Sequence, residues 1–225
     1  MQKMYKILGI DLGGCMSGNS AYIYANVSNG KIEIIESFKE PKHKEHISCQ
    51  RFLIDLFERL EIDAIAIDAP LSLPTPLLNP KAVTPPREGE GEIINPYLFR
   101  YTDYYIFKTF GLRPMPPAGD RIGRLTARAV ALLHHFDYSF PNITVKGKIV
   151  PIYEVYPKQI AQSLGFKNYK KEPKKVLQHF NQTADLDEHL VDALLCVYAG
   201  AKILDKKTIN IVDEAKDEGW CFPIV

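Results

Sequence analysis

Four acidic residues stand where a packed core has no use for a charge. Asp11 closes the apolar run ILGID (7–11) and Asp68 closes AIAID (64–68). Glu154 lies inside PIYEVYP (151–157), and Asp192 sits beside Ala193 and Leu194 in DEHLVDALLCVYAG (187–200). Burial disfavours the charged form of a carboxylate, so four such residues in one chain ask for a shared counter-charge. A divalent cation supplies one, because Mg2+ and Mn2+ take oxygen ligands and are held by a few carboxylates plus water. A structural reading stands beside this one. Acids at strand ends also form turns or cap helices, Asp187 suits a cap, and Glu154 has Arg100, Arg121 and Arg124 as candidate partners. Taken as a set, the four acids favour a site.

The elements that must carry them follow from periodicity. Residues 5–12 read as a buried strand, and 19–26 and 31–38 alternate as two more, joined by a hairpin signal at Ser28-Asn29-Gly30. This is a three-strand antiparallel meander. Phe52, Leu53, Leu56, Phe57 and Leu60 recur at helical spacing within 46–62. AIAID is short and wholly apolar up to its acid, as in a central strand covered on both faces. Residues 69–90 are rich in Pro and Gly and read as a long loop. Helices are predicted at 95–111 and 121–136, a strand at 148–157, a helix near 172–181 and a long apolar-faced helix at 185–204. The final GWCFPIV reads as a terminal strand or tail. The order predicts an α/β fold, a mixed sheet of antiparallel and parallel strands flanked by helices, in one domain over 1–225 with a helical insertion at about 69–150.

Composition narrows the class. Net charge is +1 and the pI about 7.7, which predicts no strong whole-protein attraction to nucleic acid but leaves room for a local basic patch. Cys15, Cys49, Cys196 and Cys221 show no C-x-x-C spacing, so zinc is not expected. They do not resemble a disulfide framework either, and Cys196 fits an apolar helix. With no signal-peptide pattern and no stretch of roughly 20 apolar residues, the expectation is a cytoplasmic protein in a reducing environment that does not enter a membrane.

GIDLGG (9–14), AIDAPLSLP (66–74), RYTD (100–103), YEVYP (153–157) and DEHLVDALLCVYAG (187–200) occur in an order that resembles a family of uncharacterised proteins predicted to be nucleases of the ribonuclease H-like fold. Gly219-Trp220 also suits it. The resemblance spans nearly the whole chain, and EVYP and the D…DAL helix are its most specific pieces. It implies that Asp11, Asp68 and Asp192 are metal ligands for Mg2+ or Mn2+. Glu154 would join them as a catalytic acid, either a ligand or a residue orienting one. Arg100 and Asp103 carry the R-x-x-D pattern. The implied reaction is phosphodiester hydrolysis of nucleic acid, DNA or RNA, at metal ions about 3.5–4 Å apart.

Substrate would need cations. Arg100 is a bidentate phosphate donor or else the partner of Asp103, three residues on along one helix. Lys167, Lys170, Lys171, Lys174 and Lys175, with Tyr169 as a stacking ring, form one candidate surface; Arg113, Arg121, Arg124 and Arg128 form another. A solvated face is the alternative for the lysine run. His134 and His135 end a helix and suit its dipole. Two other functions fit parts of the sequence. GIDLGG looks like the first phosphate loop of sugar kinases and actin-like ATPases, but no second Asp-Gly-Gly loop follows. A non-catalytic binding protein on the same fold is the third reading.

Overall fold

The computed structural model describes residues 3–15, 17–206, 208–210 and 221–223. Its first half opens as a meander: β1 (Tyr5–Asp11), β2 (Ala21–Ser28) and β3 (Lys31–Lys39) pair antiparallel in sequence. The β2–β3 turn places Asn29 and Gly30 at φ 51° and 74°, the left-handed pair that a two-residue hairpin loop requires. Helix α1 (His46–Arg59) then leads to β4 (Ala64–Asp68), which lies parallel to β1.

The insertion carries α2 (Thr75–Leu78), α3 (Tyr101–Phe110) and α4 (Asp120–His135). Gly111, at φ 64°, ends α3 in the left-handed cap that glycine tolerates. The chain returns through β5 (Asn142–Val145) and β6 (Lys148–Glu154), then α5 (Pro157–Ser163), α6 (Pro173–His179) and α7 (Glu188–Leu204). A short ladder, β7 (Thr208–Asn210) with β8 (Cys221–Pro223), follows. Strand order in the main sheet is β3-β2-β1-β4-β6-β5, with β1, β4 and β6 parallel and β5 antiparallel to β6. This is a mixed sheet of antiparallel and parallel strands flanked by helices, as the order of elements predicted. The sheet reaches further back than the pattern predicted: β5 falls inside 69–150 yet forms the sheet edge. Helix α5 was not expected, since its seven residues are too few for a helical period to show. Gly219 and Trp220 lie outside the described residues.

The pleat sorts the strand residues onto two cores. Leu8, Ile10, Ile65 and Ile67 pack with Leu53, Phe57, Leu132 and Leu133 of α1 and α4. Ile7 and Ala66 pack with α7 and with α5 and α6. Gly9 decides how close α7 can come: a Cβ there would fall 2.2 Å from the Ala193 carbonyl oxygen. At Gly200 a Cβ would fall 3.1 Å from Ile7 and 3.3 Å from Ala66. The glycine two residues before Asp11 therefore lets a helix lie directly on the strand that carries the acid.

Among the described residues no helix is long and apolar enough to cross a membrane. Cys15 and Cys49 form a disulfide, Cα–Cα 5.5 Å, joining the loop after β1 to α1. This corrects the expectation of unpaired thiols. Residues 34 apart in sequence become neighbours once α1 packs on the sheet, and a reducing compartment no longer follows from cysteine usage.

Candidate metal centre

Three of the four acids converge. Asp11 and Asp68 are register partners on adjacent parallel strands, so they stand at one level and on one face, the α7 face. Helix α7 begins with Asp187 as N-cap, its carboxylate accepting the backbone N–H groups of His189 and Leu190 at 3.1 Å. The cap fixes the first turn, and the close approach at Gly9 fixes the distance from the sheet. Asp192, 2% exposed, is thereby aimed at the strand ends. One carboxylate oxygen from each of Asp11, Asp68 and Asp192 lies within 4.8 Å of the others.

The neighbours of the triad are few and specific. Lys170 Nζ lies 2.7 Å from Asp192, and the Tyr169 hydroxyl donates to the other Asp192 oxygen at 2.6 Å. His189 Nδ1 lies 2.7 Å from Asp11. Burial, then the charges of Asp11 and Asp192, hold the Asp68 carboxyl well above the usual carboxylate range. Asp192 is also raised, by burial, although Lys170 and Tyr169 pull the other way. The bond to Asp11 raises His189. Fully ionised, the three carboxylates outnumber the ammonium of Lys170 and the imidazole of His189 that face them, an excess of negative charge that a divalent cation would balance. An all-oxygen donor set of this kind suits Mg2+ or Mn2+.

Glu154 does not join them, and the pleat is the reason. Its register partner on β4 is Ile67, not Asp68, so it faces the opposite side of the sheet. There it meets Arg100, whose Nη1 and Nη2 donate to its two oxygens at 2.6 and 2.5 Å. Leu71 N–H adds a third bond at 2.9 Å. The same guanidinium donates to Asp103 through Nε and Nη2 at 3.1 and 3.0 Å, and Asp103 accepts the Arg100 backbone N–H at 2.9 Å. Arg100 is 1% exposed. Of the two readings of Arg100, these bonds show the pairing with Asp103, in a closed ion cluster with Glu154 that ties the insertion to the sheet.

The basic surfaces are corrected in the same way. Lys175 is exposed and paired with Glu172 at 2.8 Å; the lysine that reaches the acids is Lys170. Tyr169 is buried and spends its hydroxyl on Asp192, so it is not a stacking ring. Arg128 is buried too, donating to both Glu40 oxygens at 2.7 and 2.8 Å and to the Gly13 carbonyl at 2.7 Å. It thereby anchors the loop after Asp11. The sequence reading missed His189, although its place three residues before Asp192 on a helix puts the two on one face. It also missed Arg128–Glu40, for which no sequence signal exists.

Two clefts meet at Asp11. One, a cavity of about 250 Å3, runs from Asp11 and Asp68 under the insertion, walled by Pro70, Pro114, Met115, Ile122, Leu125 and Tyr156. The other passes Asp11 on the side of Gly13, Gly14, Asn19, Arg121, Arg124 and His189.

No protein-family model matches the sequence, and no curated protein matches it. Among solved structures, RuvC of Thermus thermophilus in complex with a Holliday junction substrate is similar at 14% identity over 86% of this chain and 90% of that one, TM-score 0.43. A second structure of Thermus thermophilus RuvC is similar at 12% identity over 87% and 91%, TM-score 0.43. At that identity and superposition the likeness says nothing about activity, and the functional reading rests on the site.

Proposed function

We propose that the protein is a divalent-metal-dependent nuclease, hydrolysing phosphodiester bonds of nucleic acid at the carboxylates of Asp11, Asp68 and Asp192. The family resemblance of the GIDLGG, IDAP, EVYP and DAL segments points the same way. The observation that carries the reading is the convergence of three acids from two strands and a helix on one point, with more carboxylates there than cationic partners. When bound, Mg2+ or Mn2+ at such a site makes a water nucleophilic and steadies the leaving oxygen.

The chain's own contribution is preorganisation. Asp11 and Asp68 ride on paired central strands, and Asp192 rides on a helix held against one of them by Gly9. His189 fixes the rotamer of Asp11 and Tyr169 that of Asp192, the outer-partner role that tunes metal ligands. Lys170, its side chain half exposed, stands at the rim, where phosphate oxygens would arrive. Glu154 acts at one remove, through Arg100 and Leu71, by holding the turn after Asp68.

The test is cleavage of end-labelled DNA and RNA, single-stranded and duplex, with Mg2+ or Mn2+. Wild type should cut at least one of them, and Asp68→Asn should lose the activity while keeping its circular dichroism spectrum. Equal residual cleavage by both proteins would mean a contaminant and would sink the proposal.

A further inference from the structure

Resting on that reading, we infer that the cleft between the triad and the insertion is a nucleobase subsite, and that the substrate strand is unpaired where it enters. The argument starts from what the cleft can solvate. Its walls carry Pro70, Pro114, Met115, Ile122, Leu125 and Tyr156, with the carboxylates of Asp11, Asp68, Asp103 and Glu154 at its floor and ends. The one cation that lines it is Arg100, and its Nε, Nη1 and Nη2 all bond to Asp103 and Glu154 at 2.5–3.1 Å. A phosphodiester chain running through this cleft would meet four carboxylates and a guanidinium already bonded to two of them, which its charge disfavours. A flat, neutral, apolar-faced group is the part of a nucleotide that fits.

A second cleft shares Asp11, Leu12, Met115, Ile122 and Leu125 with the first and then opens onto different groups. It leads away from Asp11 past Gly13 and Gly14, with Asn19, His189 and the exposed Arg121 and Arg124 around it. Asp120 also lines it, 3.8 Å from Arg124 across a fully solvated pair. Phosphates can be tracked on this side. A nucleotide whose phosphate sits at Asp11 and Asp68 thus has an apolar wall for its base and, past Gly13 and Gly14, the cations Arg121 and Arg124 for the next phosphate. A base inserted under Met115 and Leu125 turns its pairing edge to protein, so its complementary strand must be absent or displaced there.

Fluorescence anisotropy with Ca2+ in place of Mg2+ tests this, using a short labelled oligonucleotide alone and annealed to its complement. The single strand should bind more tightly by about tenfold, the scale of one base stacked on a protein surface. Met115 is 57% exposed, so Met115→Glu should leave the melting temperature unchanged. It should cost most of that tenfold, and Met115→Leu should keep it. Duplex binding equal to single-strand binding, or unaltered binding by Met115→Glu, would remove the subsite and leave the nuclease reading standing. Failure of both oligonucleotides to bind a protein that still binds Mn2+ would remove nucleic acid as substrate and the subsite with it.

Discussion

Two groups of acids lie on opposite faces of the same strand ends, and they have opposite fates. Asp103 and Glu154 meet one guanidinium that supplies a fork of donors to both, with backbone N–H groups completing the shell. Asp11, Asp68 and Asp192 meet one ammonium and one imidazole, and their mutual repulsion holds Asp68 well above the usual carboxylate range after burial has raised it. All five are carboxylates, with Asp103, Glu154 and Asp192 buried and Asp11 and Asp68 half-buried. What separates them is how much positive charge the chain provides and whether every acceptor is used. The first group is finished by the fold; the second is completed by a cation.

That contrast can be broken by mutation. Asp68→Asn should lower Mn2+ affinity by more than about 100-fold, beyond what losing an outer partner of a ligand costs. At pH above the raised range of Asp68 it should also raise the melting temperature of the metal-free protein, because it removes a carboxylate whose charge burial and the neighbouring acids oppose. Arg100→Met should do the reverse. It leaves two carboxylates buried and unpaired, and denaturant unfolding should show a loss of about 3–5 kcal/mol. A loss within experimental error would mean that the Arg100 cluster is no more closed than the triad.

The smaller effects sharpen the comparison. Lys170 Nζ stands where a metal would draw on Asp192, so Lys170→Met should tighten Mn2+ binding by about tenfold, a competing charge having been removed. Weaker binding would show the lysine to be part of the metal site rather than its substitute. The pH dependence is smaller still. Asp68 and Asp192 are raised mainly by burial, so the native state keeps protons that the unfolded chain has released. Stability from these groups therefore falls as pH rises through their raised values. His189, raised above 6.5 by Asp11, adds stability that is complete below 6.5 and lost as pH climbs through its folded value. The metal-free protein should melt higher near pH 6 than near pH 8, and saturating Mn2+ should flatten the difference. Melting scans with and without the ion check this.

Much of this was legible in the residues. AIAID and ILGID announce buried strands because nothing polar interrupts them, and the meander shows in its alternation. Asp11 and Asp68 were conspicuous as acids at the ends of apolar runs, and Asp192 as an acid on the apolar side of a helix. The register was not. Whether Glu154 shares a face with Asp68 depends on one residue of pairing between β4 and β6, and a shift of one would invert the answer. The closed Arg100 cluster follows from that same step. Cys15–Cys49 and Arg128–Glu40 are products of packing between distant segments, and no local pattern encodes them.

The most direct test of the central claim is a calorimetric Mn2+ titration of wild type and Asp11→Asn, each shown to be folded by circular dichroism. The structure predicts saturable binding by wild type and none by the variant. Equal heats from the two proteins, or none from wild type even with nucleic acid present, would contradict it.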